Sequence, residues 1–148
     1  MEDMVLYLED IVTPTIKDFE ANPTSVRHAF LACVATFRAI DYLAYPDKSA
    51  NVRQRAREAS PAFATVDLVA HAFKHVASGN PNKKRLKAGE VVVRRPAEFD
   101  TAEWDMSRWD DGAGGVTIDT DREVDVLAAV KEAVHFLRTK GRGRGLLT

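Results

Sequence analysis

The sequence lacks the features that mark most secreted and membrane proteins. Its one cysteine, Cys33, cannot form a disulfide within the chain, which favours a reducing compartment. No apolar run approaches the length of about 18 residues that a membrane-spanning helix needs. The opening residues, MEDMVLYLED, lack the basic start and long apolar centre of a signal peptide. We therefore expect a soluble, cytoplasmic protein that does not associate with membranes.

The sequence also lacks an excess of charge of one sign. Its 21 lysines and arginines nearly balance its 22 aspartates and glutamates, which gives a formal net charge of −1. The chain as a whole therefore has no long-range attraction for nucleic acid or anionic lipid. Any such binding has to come from a local patch.

Several catalytic and nucleotide-binding motifs are missing. The sequence has no glycine-rich phosphate loop, no G-x-S-x-G, no pair of cysteines for zinc and no G-x-G-x-x-G after a strand. It also has no repeat of roughly 20 to 50 residues, which argues against a solenoid. These absences exclude the enzyme classes that carry such motifs, but they leave open whether the chain is an enzyme.

Apolar residues recur every three to four positions through most of the chain, which is typical of amphipathic helices. Pro14 predicts a kink or a break in the first of them. Ser60 and Gly79 predict the start and the end of a central helix, and Gly141 predicts the end of the last one, which Thr120 or Asp121 would cap. The predicted helices cover residues 2–21, 24–45, 47–60, 60–79 and 121–140, of which the helix at 47–60 is short and polar.

Two β-branched segments lie between the central and last helices. Residues 90–94 and 116–119 are bounded by glycine or proline and predict two antiparallel strands. The expected fold is therefore mainly α, an α-rich α+β bundle of about four principal helices with a small antiparallel β-ribbon before the last helix. Residues 1–140 would form one domain, and residues 141–148 a flexible tail of glycine and arginine.

The polar face of the central helix carries the most suggestive cluster of titratable side chains. Asp67, His71 and His75 follow each other at steps of four residues, which brings neighbours to about 5 to 6 Å. Two imidazoles at this spacing can share a transition metal. Alternatively, Asp67 fixes the tautomer of His71 and leaves its second ring nitrogen to act as a general base. A third interpretation is an ordinary polar face, solvated or covered by another helix.

The helix at residues 24–45 also has a charged side. Arg27 and Arg38 are candidate ligands for a phosphate or a carboxylate if this side faces a cleft. The alternative is that Arg38 pairs with Asp41 or Tyr42 on the surface.

Two segments of opposite charge adjoin in the second half of the chain. Residues 83–95 carry a net charge of +5, and residues 98–111 carry −5 together with both tryptophans, Trp104 and Trp109. The segments could fold onto each other or meet across a two-fold axis in a dimer. The tryptophans are candidate anchors for a partner, although they could equally cover the core.

These patterns favour a small interaction or accessory domain that acts as a homo-oligomer, most simply a dimer, with a further protein partner left open. The first alternative is a metal-binding or hydrolytic enzyme centred on Asp67, His71 and His75. The second is an RNA-binding protein that uses residues 83–95, although the overall charge does not favour nucleic acid. No cofactor is evident, and the one cofactor that the histidines suggest is a transition metal.

Overall fold

The apolar stripes of the predicted helices meet in one core. A computed structural model describes residues 2–72, 86–95, 114–119 and 122–146. Its fold confirms the α-rich α+β class, and none of the described helices has the length and apolarity to cross a membrane. The elements, in chain order, are α1 (Glu2–Tyr7), a π-helical turn (Leu8–Val12), α2 (Thr13–Ala21), α3 (Val26–Ala44), α4 (Ser49–Ala59), α5 (Pro61–Ala72), a 3-10 turn (Ala88–Glu90), β1 (Val91–Arg94), β2 (Gly115–Asp119), β3 (Glu123–Asp125) and α6 (Val126–Gly143).

A π-helical turn just before Pro14 keeps the first two helices continuous. Proline has no N–H with which to continue the ordinary helical hydrogen bonds. The backbone N–H of Thr13 donates instead to the carbonyl of Leu8, five residues back, and this wider turn lets α1 run on into α2. The disturbance predicted at Pro14 is therefore a local widening.

The core lies between α3, α5 and α6. Cys33, Ile40, Phe63, Val66 and Val130 are among its fully buried residues. Burial raises the pKa of the Cys33 thiol above its ordinary value, because the thiolate would lose its hydration. The core therefore holds this cysteine as an inert thiol.

Side-chain caps start three of these helices. Ser25 accepts a hydrogen bond from the backbone of His28, and Ser60 accepts one from Phe63 at 3.1 Å, which confirms the predicted Ser60 cap. The prediction for the start of α6 was wrong, because Asp125 is its N-cap and accepts from the backbone of Ala128 at 2.8 Å. The reason is that a short strand, β3, occupies residues 123–125 and moves the helix start downstream. The predicted caps, Thr120 and Asp121, lie outside the described residues.

The sheet packs against the end of the core in the order β1-β2-β3, and both pairings are antiparallel. Val116 and Ile118 on the central strand are buried among the helices, which gives the short sheet the support it needs. The predicted ribbon is thus present, but its third strand, Glu123–Asp125, was missed. Two of its three residues are acidic, so the segment has no apolar alternation.

The last helix ends two residues beyond the predicted Gly141. Gly145 has a φ of 70°, its N–H donates to Arg142, and the N–H of Leu146 donates to Gly141 at 2.8 Å. This pattern is a Schellman motif with Gly145 at the left-handed position. Leu146 then packs on the core. Residues 141–146 of the predicted tail therefore belong to the helix and its cap.

Candidate functional site

Asp67 lies on the α5 surface that α4 covers. Its side chain is only 12% exposed, and Arg57 from α4 donates to its Oδ2 at 2.8 Å. A second nitrogen of the same guanidinium donates to Gln54 at 3.0 Å. A carboxylate removed from water needs such a charged donor to remain ionised at acceptable cost. The Arg57–Asp67 pair therefore joins α4 to α5.

His71 stands one turn after Asp67 and is held in a defined orientation. Its Nδ1 is 2.8 Å from the backbone carbonyl oxygen of Asp67 and 3.2 Å from the carboxylate Oδ1. Of the two contacts, we take the carbonyl contact as the hydrogen bond, because Oδ1 lacks hydrogen-bond geometry with the described residues. A carbonyl oxygen only accepts, so Nδ1 carries the proton. In the neutral ring Nε2 is then the acceptor nitrogen.

Phe37 on α3 fixes the plane of the His71 ring. The two rings meet edge to face, with their centroids 4.9 Å apart and their planes at 87°. Phe37 also takes the Arg53 guanidinium over its ring, at 4.9 Å from the centroid. This phenylalanine thus links the histidine to a second group of charges.

The second group is centred on Asp41. Arg53 donates to its Oδ1 at 2.6 Å, and Arg38 approaches its Oδ2 at 3.4 Å. Burial by itself raises the pKa of Asp41. The bond and charge of Arg53, with further bonds from Ser49 and Arg38, outweigh that effect and hold the pKa below its ordinary value. Asp41 is therefore the carboxylate through which α3 holds α4.

The structure separates the two arginines that were candidates for one anion site. Arg27 is exposed at the start of α3, and Arg38 lies eleven residues further along, about 16 Å along the helix axis. Arg38 contacts Asp41, one of the two partners that the surface interpretation named.

The geometry at His71 bears on the metal and general-base interpretations. Asp67 lies beside Nδ1, whereas Nε2 is on the other edge of the ring. Asp67 therefore orients the histidine and does not bind the same metal ion as Nε2. The third predicted ligand, His75, lies outside the described residues. Within those residues, no three histidine, cysteine or carboxylate side chains are grouped as a metal site.

The segments of opposite charge are described only in part. Trp104, Trp109 and all of residues 98–111 lie outside the described ranges, as do residues 83–85. Arg94 makes ion pairs with Glu123 and Asp125 across the sheet, at 3.3 and 3.8 Å. Part of the basic segment is therefore neutralised within the sheet.

The outer edge of the sheet is an apolar surface. β1 pairs with β2 on one side, and on its other side no described segment supplies a strand. Val92 and Val93 are 44% and 41% exposed, although consecutive residues of a strand point to opposite faces. Both faces of β1 are thus open to contact.

Sequence reasoning missed Arg53 and Arg57, which connect α4 to Asp41 and Asp67. Their spacing of four residues on a polar helix placed them on one face and was the available signal. The carboxylates they would meet lie on other helices and were not deducible from local pattern.

Comparison of the chain with protein-family models, with curated proteins and with solved structures finds no match.

Proposed function

We propose that the chain is an interaction domain that works as a homodimer, with two copies joined along β1. The observation that carries this proposal is the outer edge of β1, which presents consecutive β-branched residues and lacks a partner strand among the described residues. Such an edge is a template for pairing with another chain. A second copy of the same strand is the occupant that its charges fit best.

The charges around β1 are self-complementary. A two-fold axis perpendicular to the sheet, midway between Val92 and Val92 of the second copy, sets β1 antiparallel to its copy. Val91 then lies opposite Val93 of the other copy, and Glu90 lies opposite Arg94. The pairing repeats by symmetry, so each interface has two such charge pairs. Arg94, already beside Glu123 and Asp125, would then lie opposite a third carboxylate.

The test is the mass of the full chain by analytical ultracentrifugation between 5 and 500 µM, for wild type and for Val92→Lys. A lysine at an exposed edge position blocks strand pairing and leaves the folded protomer intact. We expect a dimer for wild type and a monomer for the variant. Val5→Lys is the matched control, because Val5 is a comparably exposed valine on α1, and it should remain dimeric.

A monomeric wild type over the whole range contradicts the proposal. If the β1 amides of that monomer are also protected from hydrogen exchange, a segment of the same chain covers the edge. A Val5→Lys variant that dissociates like Val92→Lys would place the interface elsewhere.

A second candidate function rests on the orientation of His71. A histidine whose Nδ1–H is fixed by a carbonyl, with a carboxylate beside it, presents Nε2 as a metal ligand or as a general base. We propose a metal-binding or hydrolytic site here as the alternative, with Asp67 as the orienting residue and His75 as a further ligand.

Elemental analysis of purified, untagged protein tests this alternative against a His71→Ala, His75→Ala double variant. Close to one transition metal per chain, lost in the double variant, is the expected result. Exposed His135 on α6 provides the control variant, His135→Ala, which should retain the metal. Protein that contains no metal and binds none when zinc is added contradicts the metal site.

A further inference from the structure

An open cavity of about 360 Å³, lined mostly by exposed residues, lies where the turn after α3 meets the start of α4 and the end of α6. Its volume is in the lower part of the range for small-molecule sites, roughly 300 to 1,000 Å³. No motif in the sequence marked it, because its walls come from two distant parts of the chain. The lining residues are Asp47, Lys48, Asn51, Val52, Arg55 and Arg144.

The lining has an excess of positive charge. Three of its residues are cations and one is an anion, which gives a formal charge of +2. Elsewhere in the described chain, buried or half-buried arginines face a carboxylate, as Arg57 faces Asp67. Lys48 and Arg55 are exposed, and neither forms an ion pair with any described residue. The cavity therefore gathers cations without supplying the anions that would balance them.

Arg144 is held in place at the wall. Its Nη1 donates to the carbonyl oxygen of Leu43 at 2.8 Å, near the C-terminal end of α3. This bond occupies one of the five N–H groups of the guanidinium and leaves the others to meet a ligand. An anchored arginine loses less side-chain freedom when it binds an anion.

Lys48 occupies a position that is unfavourable without an anion. It is the N-cap of α4 and makes no side-chain cap. The N-terminal end of a helix carries partial positive charge, so a cation there lowers stability. An anion in the cavity would interact favourably with Lys48, Arg55 and Arg144 together and would reverse this effect.

We propose that the cavity binds a small phosphorylated molecule that also carries hydroxyl groups. A phosphoryl group has a charge of about −1.5 to −2 at neutral pH, which matches the lining. Lys48, Arg55 and Arg144 contact the phosphoryl oxygens. Asp47 accepts a hydrogen bond from a ligand hydroxyl, and Val52 contacts the carbon skeleton. The site shares no residue with β1 and is independent of the proposed dimer.

The first experiment is an NMR titration of the full chain with ribose 5-phosphate, ribose and inorganic phosphate at fixed ionic strength. We expect saturable shifts at residues 47–55 and 144 with ribose 5-phosphate, weaker binding of inorganic phosphate, and none of ribose. If neither phosphate compound gives saturable shifts at these residues up to 10 mM, the proposal is wrong.

The second experiment compares two variants that each remove one exposed arginine from the chain. Arg55→Gln should weaken ribose 5-phosphate binding roughly tenfold, because it removes a charge-assisted hydrogen bond. Arg27→Gln, remote from the cavity, should leave the affinity unchanged. Equal losses would indicate diffuse attraction by net charge and would overturn the site.

Two macromolecular ligands remain to be separated from a small molecule. Single-stranded RNA and vesicles of phosphatidylcholine with 30% phosphatidylserine also present phosphate groups. Either of them binding at residues 47–55 more tightly than ribose 5-phosphate contradicts the small-molecule proposal. The same titration on Val92→Lys should give the wild-type affinity, which separates failure of this site from failure of the dimer.

Discussion

At the scale of single residues, two carboxylates hold the polar helix α4 to the rest of the protein. Only Ala56 of α4 is buried, so apolar burial contributes little to its docking. Arg57 reaches Asp67 on α5, and Arg53 reaches Asp41 on α3. Both pairs are partly buried, so removing one partner leaves the other charge uncompensated and with reduced access to water. The position of α4 thus depends on these two ion pairs.

Asp41 makes this dependence measurable. Its folded pKa lies below its unfolded value, which is about 3.9. The charged form therefore stabilises the fold above about pH 4, and the contribution is lost as the pH falls through the folded pKa. We expect Asp41→Asn to lower the free energy of unfolding in urea at pH 7, and the gap to wild type to shrink below pH 4.

The matching variant for this prediction is Arg53→Gln. It removes the main partner of Asp41, so the stability of this variant should depend less on pH between 3 and 5 than that of wild type. If the difference between wild type and Asp41→Asn is the same at pH 3 and pH 7, the assigned role of Asp41 is wrong.

At the scale of the element, the end of α6 depends on one glycine and tolerates change at another. Gly145 adopts a φ of 70°, whereas Gly143 is helical, and a Cβ on it would have no neighbour within 4 Å. Gly145→Ala should lower the free energy of unfolding by about 1 kcal/mol, since a left-handed conformation is strained for alanine. Gly143→Ala should raise it by about 0.5 to 1 kcal/mol through helix propensity.

Urea unfolding of Gly145→Ala, Gly143→Ala and wild type tests these two predictions. The changes should have opposite signs even though both add the same methyl group. Equal effects would mean that the Schellman motif does not form in solution.

At the scale of the whole molecule, the sequence predicted elements better than it predicted their contacts. The apolar stripes of α3, α5 and α6 and the Ser60 cap could be recognised because they depend on local period and local hydrogen bonds. The fold class followed from them. β3 and the π-helical turn were not predicted, because each is short and its conformation depends on contacts with residues that are distant in the sequence.

The candidate sites were less predictable than the fold. The pairing of Asp67 and His71 follows from a spacing of four residues and could be anticipated. Arg57 and Arg53 could not be assigned to their carboxylates, because those contacts join different helices. The cavity was missed for the same reason, since Arg144 stands beside Lys48 only after the helices have packed.

The buried thiol of Cys33 is a natural probe of how often the core of this protein opens to solvent. The sulfur is fully enclosed on α3, and its raised pKa keeps it protonated, so a disulfide reagent in the solvent cannot react with it in the closed fold. Because the chain contains no second cysteine, every molecule labelled by such a reagent has exposed its centre at least once. The labelling rate therefore measures how often the native core opens enough to expose Cys33, and no engineered probe is needed.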